Sequence, residues 1–288
     1  MTALKDTVAV VTGASRGAGR GIARELGSAG ATVYVTGRSA GGAPTTNDVP
    51  GTIDETAAEV TERGGRGIAV RCDHTRDDEV ASLFERIRRD HGRVDLLVNN
   101  VWGGYERNDA GPLPRVPFWE QPRQQWEGMF TAGVRAHLVA SQLAVPLMLP
   151  QGRGLIVSTT AHLDPLPYLQ NVFYDLSKKA IARLTWAMAQ ELRERGIAAV
   201  AVAPGFMRTE RVVEAFRRAG AMEALDGPGG PGETPAYVGR AVVALASDAR
   251  VLDKSGQVLE VGALAREYGF TDVNGKQPAP FRIGTSAN

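Results

Sequence analysis

The stretch that most constrains this chain lies close to its start. Thr7-Val8-Ala9-Val10-Val11-Thr12 is a short β-branched run that stops at Gly13, which is how a strand buried on both faces reads. Gly13-Ala14-Ser15-Arg16-Gly17-Ala18-Gly19-Arg20-Gly21 follows at once and leads into Ile22, Ala23, Leu26 and Ala29, apolar at helical spacing as far as Gly30. Strand, glycine turn and helix in that order make a phosphate site, because glycines let the backbone approach and the helix N-terminus presents unpaired N–H groups at the positive end of its dipole. Gly13, Ser15, Arg16, Gly17 and Gly19 are the candidate cofactor-binding residues of this turn. The spacing G-x-x-x-G-x-G differs slightly from the general dinucleotide fingerprint.

Similar units recur down the chain. Strands are expected at 31–36, 67–72, 94–98, 154–157, 198–203 and 257–261, with helices between them. Thr52 and Glu55 form a capping box for one helix, and Val80, Leu83, Phe84 and Ile87 mark another. A long apolar helix is expected at 126–149, its last turn bent or frayed by Pro146. This tempo predicts an α/β fold: a single-domain, doubly wound parallel sheet of about seven strands (a Rossmann fold) with helices on both faces, and 288 residues suit one domain. Ligands in such sheets bind at the C-terminal ends of the strands. Two long loops reach that end. Residues 40–51 stand where they can close over an adenosine, and residues 105–125, with Phe118 and Trp119, either line a substrate pocket or pack on the domain.

The second strand ends at Gly37-Arg38-Ser39, where NAD-binding folds carry an acidic residue for the ribose 2′-hydroxyl. No carboxylate is available here. Arg38, with Arg16 from the glycine turn, favours NADP(H) over NAD(H), the latter remaining possible. Asp73, at the end of the third strand, either contacts the adenine or caps the next helix. A formal charge of +1 with interspersed signs gives no footprint for nucleic acid or an anionic membrane. No apolar run approaches the ~20 residues of a membrane span, and residues 1–6 lack a leader pattern, so a soluble, cytoplasmic protein is expected. The lone cysteine, Cys72, excludes an internal disulfide and reads as a small buried residue. No metal site is expected.

Tyr174-Asp175-Leu176-Ser177-Lys178 places a phenol and an amine four residues apart, on one face of a helix. A phenol titrates near pH ~10 and works as an acid or base at neutral pH only beside a cation that stabilises its phenolate. Lys178 is placed to be that cation.

Thr12-Gly13-x-x-x-Gly17-x-Gly19, Asn99-Asn100 after the fourth strand, Tyr174-x-x-x-Lys178 and Pro204-Gly205-x-x-x-Thr209 together resemble the short-chain dehydrogenase/reductase family, in its order and spacing and over most of the chain. The stretches at 154–157 and 256–259 are similar to the branch typified by dehydrogenase/reductase member 1. The resemblance implies a nicotinamide-dependent oxidoreductase of a small or medium carbonyl or alcohol. Tyr174 would be the proton donor or acceptor, and Lys178 would lower its pKa and hold the nicotinamide ribose. Asn99 would touch the cofactor near the adenosine, and Pro204, Gly205, Met207 and Thr209 its nicotinamide end or pyrophosphate. It also implies a homodimer or homotetramer built through helices at 126–149 and 174–195, a mobile lid at 210–239 with a short helix at 212–221, and an unusual extension at 262–288 lying on a neighbouring surface or subunit.

Two positions depart from the family pattern. The serine usually found about thirteen residues before the tyrosine is Ala161 here, and Thr160 is the preferred substitute, ahead of Ser158, Thr159 and His162. The asparagine that anchors a relay water in the preceding helix is Gly133. These two losses keep a second function open, that of a non-catalytic dinucleotide-binding redox sensor or scaffold.

Overall fold

Successive side chains of a strand point to opposite faces, and in the central strands both sets are apolar. Ala9 and Val11 of β1 (Val8–Val11) face one hydrophobic cluster while Val8 and Val10 face a second. Such a strand must be covered on both sides, which a parallel sheet wrapped in helices provides. The computed structural model of the chain describes residues 3–42, 45–104, 116–161, 168–225 and 232–281.

Around β1 stand β2 (Thr32–Gly37), β3 (Arg66–Arg71), β4 (Leu96–Asn99), β5 (Gly154–Thr159), β6 (Ile197–Ala203) and β7 (Val258–Glu260). They form one seven-stranded sheet in the order β3-β2-β1-β4-β5-β6-β7, with every neighbouring pair parallel. The fold is the doubly wound one expected, and the strand order reverses between β1 and β4. One face is covered by α1 (Gly17–Ser28), α2 (Ile53–Glu62), α7 (Pro235–Ser247) and α8 (Val261–Tyr268). The other carries α3 (Asp77–His91), α4 (Ala136–Met148) and α5 (Val172–Leu192). The capping box of α2 forms as expected. Buried beyond the end of β3, the Cys72 thiol is pushed up to about 12.

Two expectations are corrected. The stretch Glu127–Gln151 is long and apolar enough by composition to cross a membrane, contrary to the reading that none approached that length, but half of its most apolar window is buried inside the protein. Met129, Ala140, Ala144 and Met148 are core residues, which accounts for the apolarity. The first part of this stretch, Glu127–Arg135, winds as a π-helix before α4 begins, and Pro146 sits inside α4, which ends two residues later in a 3₁₀ turn. The C-terminal extension packs on its own chain as far as residue 281: Leu264 and Ala265 of α8 are core, the Tyr237 hydroxyl donates to Pro278 O at 2.9 Å, and Thr234 Oγ1 donates to Asp272 at 2.6 Å.

Candidate active site

The site begins with a knot between β1 and β4, the two strands that flank the reversal. Thr12 Oγ1 accepts from the backbone N–H groups of Asn100 (2.9 Å) and Val101 (3.1 Å), and Asn100 Nδ2 donates to the carbonyls of Thr12 and Gly13, both at 3.0 Å. Gly13 is in the left-handed region (φ 64°), and a Cβ there would stand 2.8 Å from Val101 Cα. Gly19 allows a still closer approach, since its Cβ would lie 2.3 Å from Gly13 O. The glycines thus bring the N-terminus of α1 against the strand ends.

That N-terminus is built to take an anion. Its cap residue, Arg16, makes no side-chain capping hydrogen bond and the first turn contains no acidic residue. In the structure the Gly17 N–H donates to the Glu210 carboxylate at 2.7 Å. Glu210 opens α6 (Glu210–Arg218), a helix none of whose residues is buried. Arg16 Nη2 donates to Ser39 Oγ and to Gly51 O, both at 2.9 Å, which ties the loop after β2 to the turn. Burial first, then the charges of Arg211 and Arg38, hold the Arg16 guanidinium below its ordinary value, against the opposing pull of Glu210.

A cleft of about 410 Å³ runs from this turn across the strand ends. Of the expected site residues, Gly13, Ser15, Arg16, Gly17, Arg38, Asp73, Thr160, Tyr174, Lys178, Pro204, Gly205, Met207 and Thr209 line it. Arg38 Nη1 is 3.9 Å from the Asp73 carboxylate, which also accepts from Thr75 N–H and Thr75 Oγ1. Thr209 caps α6. Met207 pairs with Glu233 in a parallel bridge, and the Gly205 N–H donates to the Glu233 carboxylate. Gly19 packs beneath the turn instead of lining the cleft.

Asn99 is not at the cleft. It is fully buried, and its Nδ2 donates to Ser141 Oγ of α4 at 2.9 Å. Its neighbour Asn100 lines the cleft instead, because neighbours at a strand end point opposite ways. Thr160 lines the cleft, yet its Oγ1 donates to the Lys178 carbonyl at 2.8 Å, so its proton is committed to α5. This corrects the expectation that Thr160 holds a proton ready for a substrate oxygen. Thr159 and Ala161 line the cleft too, Ser158 is fully buried, and His162 lies outside the described residues.

Lys178 is partly buried in the cleft wall, and loss of hydration lowers its amine to about 7. Its Nζ stands 3.6 Å from the centroid of the Trp102 ring, which forms a T-shaped pair with Tyr174, centroids 5.9 Å apart and planes at 85°. His137 of α4, one turn from Ser141, is buried and pushed down to about 3 by burial and then by Lys178, so it is neutral. The sequence reading missed Trp102, Asn100, Glu210, Arg211 and His74, all of which line the cleft. A large aromatic in the glycine-rich turn after β4 was a signal for the first of these.

A parallel sheet whose strand order reverses over a glycine-built anion cradle, with a phenol and a partly buried amine in the same cleft, defines the class of nicotinamide-dependent oxidoreductases. The chain belongs to the short chain dehydrogenase family, whose model matches residues 7–219. It is 39% identical over 279 residues to dehydrogenase/reductase SDR family member 1 of Mus musculus, covering 95% of this chain and 85% of that one. It is 31% identical over 207 residues to the 7alpha-hydroxysteroid dehydrogenase of Escherichia coli (strain K12), covering 72% and 73%. A crystal structure of hydroxysteroid dehydrogenase from Escherichia coli matches 90% of this chain and 96% of its own with a TM-score of 0.70 at 26% identity.

Proposed function

We propose that this chain is an NADP(H)-dependent oxidoreductase of a small or medium carbonyl or alcohol, with Tyr174 as the acid–base group and Lys178 as the cation that lowers its pKa. The observation that carries this reading is that Tyr174 and Lys178, one turn apart on α5, open into the same cleft as the glycine turn of α1. The cleft fits a nicotinamide dinucleotide: the Gly17 N–H already binds a carboxylate, and the close approaches at Gly13 and Gly19 keep the backbone bare. Gly13, Ser15 and Gly17 would hold the pyrophosphate, Arg16 and Arg38 a 2′-phosphate, Asp73 the adenine, and Pro204, Gly205, Met207 and Thr209 the nicotinamide end. The nicotinamide supplies or accepts the hydride.

The residues of the chain handle the proton. In the reducing direction the Tyr174 hydroxyl donates to the developing alkoxide, and the Lys178 ammonium stabilises the phenolate left behind. In the oxidising direction the phenolate takes the proton of the alcohol. An amine near 7 gains and loses a proton readily at neutral pH, which suits it to recharging the tyrosine. Thr160 serves this pair through the Lys178 carbonyl, and α6 covers the cleft as a lid. The exposed faces of α4 and α5, carrying Leu138, Leu176 and Trp186, are offered as the surface through which copies assemble.

Turnover of NADPH and of NADH with a panel of ketones, aldehydes and quinones tests the reading. We expect NADPH to be preferred and Tyr174→Phe to lower turnover by at least ~100-fold. A clear preference for NADH removes the role given to Arg16 and Arg38. Cofactor binding with no oxidation across the panel, unaffected by Tyr174→Phe, makes the chain a dinucleotide sensor instead.

A further inference from the structure

Trp102 is seated with unusual tightness for a residue of a turn. A Cβ placed on Gly104 would stand 2.6 Å from three atoms of the indole, and one placed on Gly133 would stand 3.2 Å from Cε3 and Cζ3 on the other part of the ring. Two glycines, one in the same turn and one in the π-helix, therefore form a slot that admits the indole and little else. Gly133 is the position at which the family resemblance calls for an asparagine, so the space that side chain needs is taken by the tryptophan. The ring in that slot lies under the Lys178 amine at 3.6 Å and meets the Tyr174 ring in a T-shaped contact.

Lys178 needs such a neighbour. Burial is the influence that moves its amine, and no carboxylate acts on it strongly enough to counter that burial among the described residues. Neutral His137 on α4 feels the charge of Lys178, and the titratable and charged groups that line the same cleft are Tyr174, Arg16, Arg38, Asp73, His74, Glu210 and Arg211. The negative face of an indole, the strongest cation acceptor among the aromatic side chains, offers an ammonium stabilisation without a competing charge.

We propose that Trp102 is a positioning residue for the proton-transfer pair: its face holds the Lys178 ammonium in place and charged, and its T-shaped contact braces the Tyr174 ring, in the space that Gly133 leaves open. The inference rests on the acid–base reading of Tyr174 and Lys178 given above. Loss of the aromatic face makes the Lys178 amine easier to deprotonate. A neutral amine stabilises the phenolate less, so the Tyr174 pKa rises.

The test reads both ionisations. Reductive methylation with ¹³C-formaldehyde makes Lys178 visible by NMR in the protein without added cofactor, and its titration gives the amine pKa. Trp102→Leu is expected to lower that pKa by about one unit. In the holoenzyme the same substitution moves the acidic limb of the kcat/KM profile for alcohol oxidation, where the tyrosine must lose its proton, to higher pH by a comparable amount. Trp102→Phe, which keeps a ring face, restores most of both shifts. Gly104→Ala, whose Cβ would stand 2.6 Å from the indole and so displaces the ring, moves both readouts in the same direction as Trp102→Leu and carries the test should Trp102→Leu not fold. The proposal is overturned if the Lys178 pKa and the pH profile stay where they are in the wild type, or if Trp102→Phe shifts them as far as Trp102→Leu. Tyr174→Phe separates the two readings. If that variant turns over normally, the acid–base assignment itself fails, whereas an inactive Tyr174→Phe beside an unmoved Trp102→Leu removes only the role of Trp102.

Discussion

Thr160 and Ala161 stand side by side at the end of β5, and between them they decide what kind of help Tyr174 receives. Ala161 has no hydroxyl, and the hydroxyl of Thr160 is bound to the Lys178 carbonyl. Thr160 therefore ties the end of β5 to the middle of α5 and sets where the lysine begins. Thr160→Val keeps the shape and removes the donor, costing one side-chain hydrogen bond while the Lys178 carbonyl stays in the ladder of α5, and is expected to lower stability by ~0.5–1.5 kcal/mol in urea unfolding. Turnover should fall by less than the ~100-fold that loss of a direct oxyanion donor brings, and Thr160→Ser should recover both. A drop of 100-fold or more at unchanged stability would falsify this role. The sequence names both residues by counting back from Tyr174, but a hydroxyl's partner is a tertiary fact that spacing does not carry. The same limit explains Asn99 and Asn100. Which of two neighbours faces the cleft depends on the parity of the strand, and a boundary that is uncertain by one residue inverts the answer.

The elements themselves were far more legible. Strands buried on both faces leave continuous apolar runs with glycine at their ends, and all seven lie within one or two residues of where those runs put them. What escaped were features set by packing. The π-helix at Glu127–Arg135 has the composition of an ordinary helix, and α8 was read as tail although Val261, Leu264, Ala265 and Tyr268 recur at helical spacing. The crossing of α1 and α7 belongs with these. A Cβ on Gly21 would lie 2.2 Å from Pro235 O, and one on Gly239 would lie 2.7 Å from Gly21 O, so the two helices touch through bare backbone. Backbone cannot rotate aside as a side chain does. Gly21→Ala is expected to lower stability by roughly 1–3 kcal/mol or more through overpacking. It should shift the urea midpoint with little change in slope, and it should weaken dinucleotide binding as well, since α1 carries the phosphate turn.

At the scale of the whole molecule, two ionisable groups, buried Glu233 and partly buried Lys178, give stability a predictable pH dependence. The Glu233 carboxyl is raised from 4.5 to about 7, by burial first and by Asp272 in addition, against the pull of the Gly205 N–H. The folded chain then holds this proton more tightly than the unfolded chain, so the contribution is complete below about 4.5 and is lost as pH climbs to 7. Lys178, lowered from 10.5 to about 7, has the opposite sign: the folded chain binds its proton less tightly, and stability grows as pH rises from 7 towards 10.5. Together these two groups place a minimum near neutral pH. Urea unfolding between pH 5 and 9 should show it, with Glu233→Gln abolishing the fall on the acid side and Lys178→Met the rise on the basic side. Glu210 has a different consequence. Its carboxylate sits on the Gly17 N–H at the head of α1, and two anions cannot share one donor. The chain thus carries its own competitor for the ligand its phosphate turn receives, and arrival of a dinucleotide is also an eviction that frees the first residue of α6. Glu210→Gln should bind NADPH roughly tenfold more tightly in a fluorescence titration, and raising the salt concentration should narrow the difference between the two proteins.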